Sequence, residues 1–255
     1  MASVDKEKSF QEIEVSTFDE LRDLLENKIP EIEDFVFRGQ TDKNWDLSST
    51  LDRLIRHARE TGAKTASMES FVHSHLESFK LEIRGRRGDN PSQLEENELW
   101  ALGQHYGLAT PLLDWSLSPY ISAFFALSSI TADDEGGRAL WCLNRKKVNQ
   151  INSGLSDTHR LELIVPDSDD NKRLLGQSGL FSKGPVLVSV NEWVDDKTGP
   201  SASLTLIKIV FPNHPEFRKA ALKKLNLMNI NHSTLFPDLE GASLHCNIVA
   251  EDYGV

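Results

Sequence analysis

The sequence predicts a single α+β domain in which a helical N-terminal half packs on a mixed or antiparallel sheet. Three observations lead to this fold class. Apolar residues recur at helical spacing through most of the first half, whereas runs of strand length rich in Val, Ile and Leu dominate the second half. No repeat and no long linker divides the 255 residues. A chain of this length buries roughly three-quarters of its unfolded surface, so its core needs neither a disulfide nor a metal.

Helix starts in the first half are marked by pairs of capping residues. The pairs are Thr17 with Glu20, Ser92 with Glu95, and Ser118 with Pro119. We therefore expect helices from about residue 17, from 92 through 102, and from 119 through the apolar run YISAFFALSS. Another helix is expected over about 50–62, and an apolar stripe predicts one more over about 66–84.

Strands are predicted where Val, Ile, Leu and aromatic residues form short runs. The first run is FVF at 35–37, and the second half adds ALWCL, LELIV, PVLVSV and SLTLIKIV. Two later helices are expected over about 215–227 and 238–245. This order of elements favours a sheet covered by helices.

The charge balance and the missing motifs exclude several function classes. With 28 Lys and Arg against 39 Asp and Glu, the net charge of −11 disfavours a protein that coats nucleic acid. Phosphate-loop, dinucleotide-fingerprint and zinc-protease motifs are absent, and GQSG at 176–179 falls one residue short of a nucleophile elbow. His73 and His75 lie two apart on a predicted helix and point to nearly opposite faces, so we expect no metal.

Cysteine usage and hydropathy predict a cytoplasmic protein that is not associated with a membrane. Cys142 and Cys246 have no second Cys nearby, and we expect both to be buried free thiols. The apolar runs are shorter than the ~20 residues that span a bilayer. The first fifteen residues, MASVDKEKSFQEIEV, lack the apolar core of a signal peptide.

The segment Phe37-Arg38-Gly39-Gln40 is the first candidate for chemistry. A strand that turns Phe37 to the core turns Arg38 to the other face, and we expect Gly39 to let the chain turn sharply after it. The guanidinium would then stand at the end of the strand, where its planar fork suits a phosphate or a carboxylate. The alternative interpretation is structural: Arg38 would form an ion pair that ties the strand end to a carboxylate.

The segment from Gln104 to Ser116 is the second candidate. It brings an imidazole, a phenol, a carboxylate and an indole to the start of a helix apolar enough to be buried. Buried polar groups without partners cost about 1–3 kcal/mol each. These side chains therefore either satisfy one another as struts, with Asp114 capping a turn, or line a pocket. The residues alone leave both interpretations open.

Two later segments complete the set. The third runs from Arg173 to Phe181 and precedes a strand. The fourth runs from Ser233 to Gly241, and Glu240 lies in the first turn of its helix, where the helix dipole favours a carboxylate. The dipole alone explains that acidic residue.

Together the four segments resemble the FRG domain family, which is named for the Phe-Arg-Gly tripeptide found here at 37–39. The family's Gln-His-Tyr-Gly-x-x-Thr-x-Leu-Leu-Asp-Trp segment is matched at 104–115, although Ala-Thr-Pro stands where most members have Pro-Thr-Arg. The Gln-x-Gly-x-Phe and Leu-Phe-Pro-Asp-Leu-x-Gly elements are matched at 177–181 and 235–241. The resemblance implies an FRG domain over 35–247, a helical lead-in over 1–34 and a tail over 248–255.

The order of elements is also similar to that of the ADP-ribosyltransferase superfamily, whose enzymes bind NAD in a cleft of a split sheet. The resemblance implies a mono-ADP-ribosyltransferase that breaks the nicotinamide–ribose bond of its substrate NAD without a metal. Its product would be a modified macromolecular acceptor, protein or nucleic acid. The resemblance thus implies a bacterial toxin or phage-defence effector. An antitoxin or another regulatory partner would control it. The alternative is a non-catalytic module on the same fold that binds NAD, another nucleotide or a partner.

The resemblance also implies roles for individual residues. The residues expected to bind NAD are Arg38, Gly39, Gln40, His105, Tyr106, Trp115 and Ser116. Among them Arg38 would anchor phosphates or the adenosine ribose, His105 would hold a ribose hydroxyl, and Tyr106 or Trp115 would form an aromatic wall.

The catalytic set implied by the same resemblance is Glu240, His105, Gln177 and Asp114. Gln177 stands close to where the superfamily has a Glu, and its amide stabilises a cation less well than a charge does. Glu240 would therefore accept the proton, and Asp114 would act as a strut. The amide at Gln177 supports the non-catalytic alternative. So does Pro111, which stands where most family members have an Arg.

Overall fold

The computed structural model describes residues 10–62, 67–89, 91–128, 137–165, 177–199, 204–212 and 214–253, and its strands form one seven-stranded sheet. The strands are β1 Gln11–Glu14, β2 Phe35–Gln40, β3 Leu112–Ser116, β4 Arg138–Asn144, β5 Glu162–Ile164, β6 Gly179–Lys183 and β7 Leu206–Phe211. The α-helices are α1 Phe18–Asp23, α2 Thr50–Glu60, α3 Met68–Glu82, α4 Glu96–His105, α5 Pro119–Ser128, α6 Arg145–Asn152, α7 Val190–Thr198, α8 Pro215–Leu227, α9 His232–Leu235 and α10 Leu239–Tyr253. The α+β class is confirmed.

The sheet is mostly antiparallel, with the strand order β1-β7-β4-β2-β3-β6-β5. Only the β1–β7 pair at one edge is parallel among the described strands. The central junction is narrow, because β2 and β3 share one register pair, Phe37 with Ser116. By contrast, β2 pairs with β4 over all six of its residues and β3 pairs with β6 over all five of its own. The sheet therefore has two well-bonded halves that meet at one point.

Helices cover both faces of the sheet. Phe35 and Phe37 of β2 pack in one apolar cluster with residues of α1, α5 and α8, while Val36 packs in a second cluster with residues of α6 and α7. The alternation expected for β2 is thus confirmed. A third cluster joins α2, α3 and α4 to Leu112 of β3 and Phe181 of β6. Helices α2, α3 and α4 therefore support the half of the sheet that begins at β3.

Most of the predicted helices are confirmed. Thr17 caps α1, since its hydroxyl accepts a hydrogen bond from the Glu20 amide at 3.1 Å. The helices expected over 50–62, 66–84, 119 onward and 215–227 correspond to α2, α3, α5 and α8, although residue 66 lies outside the described residues. The helix expected over 238–245 is longer, because α10 continues to Tyr253.

Two local predictions are wrong. The fourth helix starts at Glu96 with Glu95 as its N-cap, and the Glu98 carboxylate accepts a hydrogen bond from the Glu95 amide at 2.7 Å. Ser92 is therefore not the cap. PVLVSV forms no strand, because Leu187 has a φ of 64° and Ser189 already caps α7. The Ser-x-x-Glu spacing at 189–192 was the sequence signal for that helix start.

The cysteine prediction is half right. Both thiols are free, and Cys142 is buried in β4, where burial raises the pKa of its thiol, but Cys246 is exposed. Within the described ranges, no helix has both the length and the hydropathy needed to cross a bilayer. The same ranges contain no cluster of three metal-ligating side chains.

The proposed domain boundaries stay a prediction. Strand β1, from the lead-in segment, pairs with β7, and α10 runs through the expected boundary at 247.

Candidate functional site

A cavity of ≈ 360 Å³ lies at the narrow junction between β2 and β3. Its described lining comes from both strands, from α5, from the segment before β6 and from the residue that follows α9. The polar lining residues are Arg38, Asp114, Ser116, Ser122 and Gln177, and the aromatic ones are Phe37, Trp115, Phe125 and Phe236; Gly39 completes the set. Volumes of about 300–1,000 Å³ with an apolar wall and a few polar groups are typical of small-molecule sites.

Arg38 is the central cation of this cavity. Its Nη1 donates a hydrogen bond to the backbone oxygen of Asp114 at 2.8 Å and lies 3.5 Å from the Asp114 Oδ2. The side chain is 22% exposed, and its Nε is buried without a hydrogen-bond partner among the described residues. Burial lowers the pKa of Arg38; the Asp114 carboxylate opposes that shift and the charge of Arg53 adds to it. The guanidinium therefore retains a donor that no described protein group satisfies.

The glycine after Arg38 does not make a turn, which corrects the sequence-based expectation. Strand β2 continues to Gln40, and Gly39 pairs with Leu140 of β4. A Cβ atom at Gly39 would lie 1.9 Å from the backbone oxygen of Ser122 and 2.6 Å from the backbone nitrogen of Ala126. Gly39 is thus needed because α5 packs directly on the strand, where the Ser122 hydroxyl donates to the Phe37 oxygen at 2.9 Å.

The polar side chains of the Gln104–Ser116 segment form a network that ends at the cavity. The buried Thr110 hydroxyl donates to Oε1 of Gln104, and Nε2 of Gln104 donates to Oδ1 of Asp114 at 2.6 Å. Asp114 lies within β3 and caps no turn, and its side chain is 59% exposed. Both interpretations of the segment therefore apply, because Gln104 and Thr110 are struts while Asp114 is at once held by them and part of the lining.

Trp115 and Ser116 follow Asp114 in β3 and also contribute to the lining. The Trp115 indole is buried and donates to the Ser182 hydroxyl at 2.8 Å. The Ser116 hydroxyl donates to the backbone oxygen of Gln177 at 2.7 Å. These two hydrogen bonds thus hold β6 and the segment before it against β3 beside the cavity.

Gln177 closes the cavity on the side of α9. Its Nε2 donates to the backbone oxygen of Leu235 at 3.4 Å, and Phe236 follows as part of the aromatic wall. A Cβ atom at Gly241 would lie 2.0 Å from the Phe236 oxygen, so the glycine of the fourth segment permits this close packing. Arg173 and the other residues before Gln177 in the third segment lie outside the described residues.

Four of the candidate residues do not line the described part of the cavity. Gln40 is a buried strut, whose Nε2 donates to the Asp46 oxygen at 2.9 Å and whose Oε1 accepts from the Trp141 indole at 2.7 Å. His105 and Tyr106 are exposed at the end of α4, where their rings pack edge to face with 4.9 Å between the ring centroids. Glu240 is exposed in the first turn of α10.

Ser122 and Phe125 of α5 line the cavity and were not predicted. Their helix was recognised as buried, but no sequence pattern indicates which of its residues face β2. The signal was indirect: Gly39 within a strand marks a place where another backbone approaches closely.

A comparison with family models supports the resemblance of the sequence motifs to the FRG domain. Residues 33–135 match the model of the FRG domain. The match includes β2, β3 and α5, and thus Arg38, Gly39 and Asp114. Gln177 and Phe236 of the cavity lie beyond it. No curated protein and no solved structure matches the chain.

Proposed function

We propose that this FRG-domain protein binds NAD in the cavity between β2 and β3, breaks the nicotinamide–ribose bond and transfers ADP-ribose to a macromolecular acceptor. One observation carries the proposal: Arg38 is a largely buried cation whose Nε no described residue satisfies, and it lines a cavity with aromatic walls. A buried charge that lacks partners is costly, and an anionic ligand would supply them.

The shape of the sheet supports the same proposal. The ADP-ribosyltransferase superfamily, which the order of elements resembles, binds NAD where a sheet splits. Here the single register pair between β2 and β3 leaves the cavity between two well-bonded halves. The half-buried rings of Phe125 and Phe236 in the wall offer faces on which a nicotinamide or adenine ring would stack.

The proposed chemistry assigns a role to each polar group. Arg38 binds a phosphate of NAD through charge-assisted hydrogen bonds. The C1′–N bond breaks, nicotinamide leaves with the electron pair, and the positive charge develops on the ribose. The Asp114 carboxylate stabilises that charge. An acceptor nucleophile then bonds to C1′, and its proton passes to Asp114.

Asp114 takes this role because it is the one carboxylate that lines the cavity within the described ranges. Gln104 holds the carboxylate by its Oδ1 oxygen, which fixes its orientation. His105, Tyr106 and Glu240 receive no role inside the cavity. Their exposed positions suit contacts with the acceptor.

Nicotinamide release from NAD tests the proposal. The wild-type protein is expected to release nicotinamide, and Asp114→Asn should lower the rate about a hundredfold or more while NAD still binds. Asp157→Asn is the matched control, because Asp157 is also an exposed aspartate paired with an arginine. Its Oδ1 lies 2.5 Å from Nη1 of Arg160. Equal rates in all three proteins would contradict the assignment of Asp114.

A non-catalytic nucleotide-binding module is the second candidate. It is favoured by Gln177, an amide where the superfamily has a carboxylate, and by the engagement of Asp114 with Gln104 and Arg38. In the same assay this candidate predicts that NAD binds and that no nicotinamide appears, with or without candidate acceptors.

The biological setting that we propose follows from the resemblance. The protein would act as a bacterial toxin or phage-defence effector under the control of an antitoxin or regulatory partner. We place it in the cytoplasm, because its two free cysteines stay reduced there. The acceptor, protein or nucleic acid, would be identified by transfer of labelled ADP-ribose in a cell lysate.

A further inference from the structure

A cluster of rings joins the Phe236 wall of the cavity to α5. Phe125 of α5 and Phe236 both line the cavity, and their rings pack edge to face with 6.0 Å between the centroids. On Phe236 the His232 ring also stacks, at 5.9 Å, and it packs edge to face on Phe124 of α5 at 4.8 Å. His232 and Phe124 are not part of the described cavity lining, so they support the Phe236 wall from outside it.

The same short helix carries the rest of this wall. Helix α9 has four residues, from His232 to Leu235, and Phe236 follows as its C-cap. The Phe236 amide donates to the His232 oxygen at 2.9 Å, and the Leu235 oxygen accepts the hydrogen bond from Gln177 at 3.4 Å. Isolated helices shorter than about 12 residues are marginal in water, so α9 keeps its shape through its packing. A displacement of His232 would therefore displace Leu235 and Phe236 with it.

The surroundings of the His232 imidazole suit a neutral ring and not a charged one. Its Nδ1 is buried and has no hydrogen-bond partner within the described part of the chain. The Asn226 side-chain oxygen beside it accepts from the Asn231 amide group at 2.9 Å, and the Asn231 oxygen accepts from the Thr234 amide at 3.1 Å. The apolar residues around the ring are Phe124, Leu222, Ile230 and Ile248. A second proton on the ring would thus find no carboxylate in this described lining.

His245 is the one other titratable side chain in the described lining around His232, and it comes from α10. Helix α5 contributes Phe124, and α8 contributes Leu222 and Asn226, none of which is charged. Burial lowers the pKa of His232 below its ordinary value of 6.5, and the charge of His245 lowers it further. A ring displaced into water would take up its proton at the ordinary pH. Protonation therefore favours the displaced state, and the packed state is lost as the pH falls below 6.5.

We propose that His232 is a positioning residue for the cavity: its neutral ring holds Phe236 in the wall, and protonation of the ring releases α9 and opens the wall. The cavity would then bind its ligand more weakly in acid than at neutral pH. For the identity of that ligand, a nucleotide such as ADP-ribose, the inference rests on the proposed function. The release of the wall itself requires no ligand.

Hydrogen exchange of the Leu235 and Phe236 amides, followed by mass spectrometry, measures the release without a ligand. Both amides donate within this segment, to the oxygens of Asn231 at 3.0 Å and of His232 at 2.9 Å. At about pH 5.5 they should exchange about threefold or more faster in the wild type than in His232→Phe, which keeps a ring but cannot be protonated. At about pH 7.5 the two proteins should exchange equally. Comparing them at one pH cancels the intrinsic effect of pH on exchange.

Two further variants keep the test sharp if the larger ring disturbs the packing. His245→Gln leaves the His232 ring in place and removes one of the two causes that hinder its protonation. The acid-induced rise in exchange should therefore be smaller than in the wild type but still present, because burial remains. His73→Phe is the matched control, since His73 is an exposed histidine on α3, and it should respond to acid as the wild type does.

Calorimetric titration with ADP-ribose tests the effect on binding. The wild-type affinity should fall about threefold or more between about pH 7.5 and about pH 5.5, because protonation draws the protein toward the open state. The affinity of His232→Phe should change by less than about twofold over the same range.

The outcomes separate this inference from the proposed function. If ADP-ribose does not bind at either pH while exchange behaves as expected, the nucleotide site is refuted and the release of the wall by His232 is supported. If wild type and His232→Phe exchange alike in acid, or if His73→Phe loses the acid response as His232→Phe does, the role of His232 is refuted whatever the cavity binds. If exchange differs but the wild-type affinity for ADP-ribose is the same at both pH values, the release does not reach the cavity, and the positioning role is refuted.

Discussion

Replacing Gly39 with alanine should destabilise the protein through a single methyl group. The added Cβ would lie 1.9 Å from the Ser122 oxygen and 2.6 Å from the Ala126 nitrogen, whereas ordinary contact begins at 3.4 Å. Both atoms belong to the backbone of α5, so no side chain can rotate away. The helix must therefore retreat from β2 by more than an ångström. The bond from the Ser122 hydroxyl to the Phe37 oxygen would then stretch.

The size of the effect follows from the cost of overpacking a well-packed core. Such substitutions cost typically about 1–3 kcal/mol, and we expect the upper end here because the obstruction is rigid. A loss of about 3 kcal/mol lowers the melting temperature of a protein of this size by roughly 6–12 °C. Ligand affinity should fall as well, because Ser122 and Phe125 would move together with the wall that they form.

Urea unfolding followed by circular dichroism measures this prediction. Gly154→Ala is the control, because the nearest atom to its Cβ would be the Ile151 oxygen at 3.8 Å, an ordinary contact. That variant should stay within about 1 kcal/mol of the wild type. If Gly39→Ala unfolds with the same free energy as Gly154→Ala, α5 does not pack on β2 as described.

Three further changes have expected outcomes. Thr110→Val keeps the shape of a buried side chain but removes the donor to Gln104, and should cost about 1–3 kcal/mol of unfolding free energy. Trp115→Phe removes a buried indole N–H bond and should cost a similar amount, about 1–3 kcal/mol. Stability should fall as the pH drops below 6.5, because burial, and secondly His245, lower the pKa of His232, so the unfolded chain takes up a proton that the folded protein resists. His232→Phe should flatten this pH dependence.

Each of these changes has an outcome that would contradict it. Unfolding free energies for Thr110→Val and Trp115→Phe that equal the wild-type value would show that these bonds do not hold the network or the strands. A pH dependence that persists unchanged in His232→Phe would place its source at other groups. Urea unfolding at a series of pH values provides all of these measurements.

The sequence indicated the helices and the functional segments better than it indicated their geometry. Capping pairs located α1 and α5 and an apolar stripe located α3, because local spacing determines where a helix begins and which side it buries. The motif residues Arg38 and Asp114 were recognised, and they do meet in one cavity. Their meeting depends on strands β2 and β3, which lie far apart in the chain.

What the sequence could not provide came from tertiary contacts. Strand β1 is short and polar, and only its pairing with β7 makes it a strand. Gly39 was interpreted as a turn residue, since nothing in the local sequence reveals that α5 passes over it. His105 and Tyr106 were expected at the site as neighbours of Asp114 in one motif. The chain between them turns, however, and leaves both side chains exposed at the end of α4.

A crystal structure of the protein with ADP-ribose tests the central claim most directly. We predict electron density for the diphosphate against the Arg38 guanidinium, in the gap between β2 and β3, with a ribose facing the Asp114 carboxylate. Density at any other surface, or an empty gap at a ligand concentration that saturates binding in solution, would contradict the account.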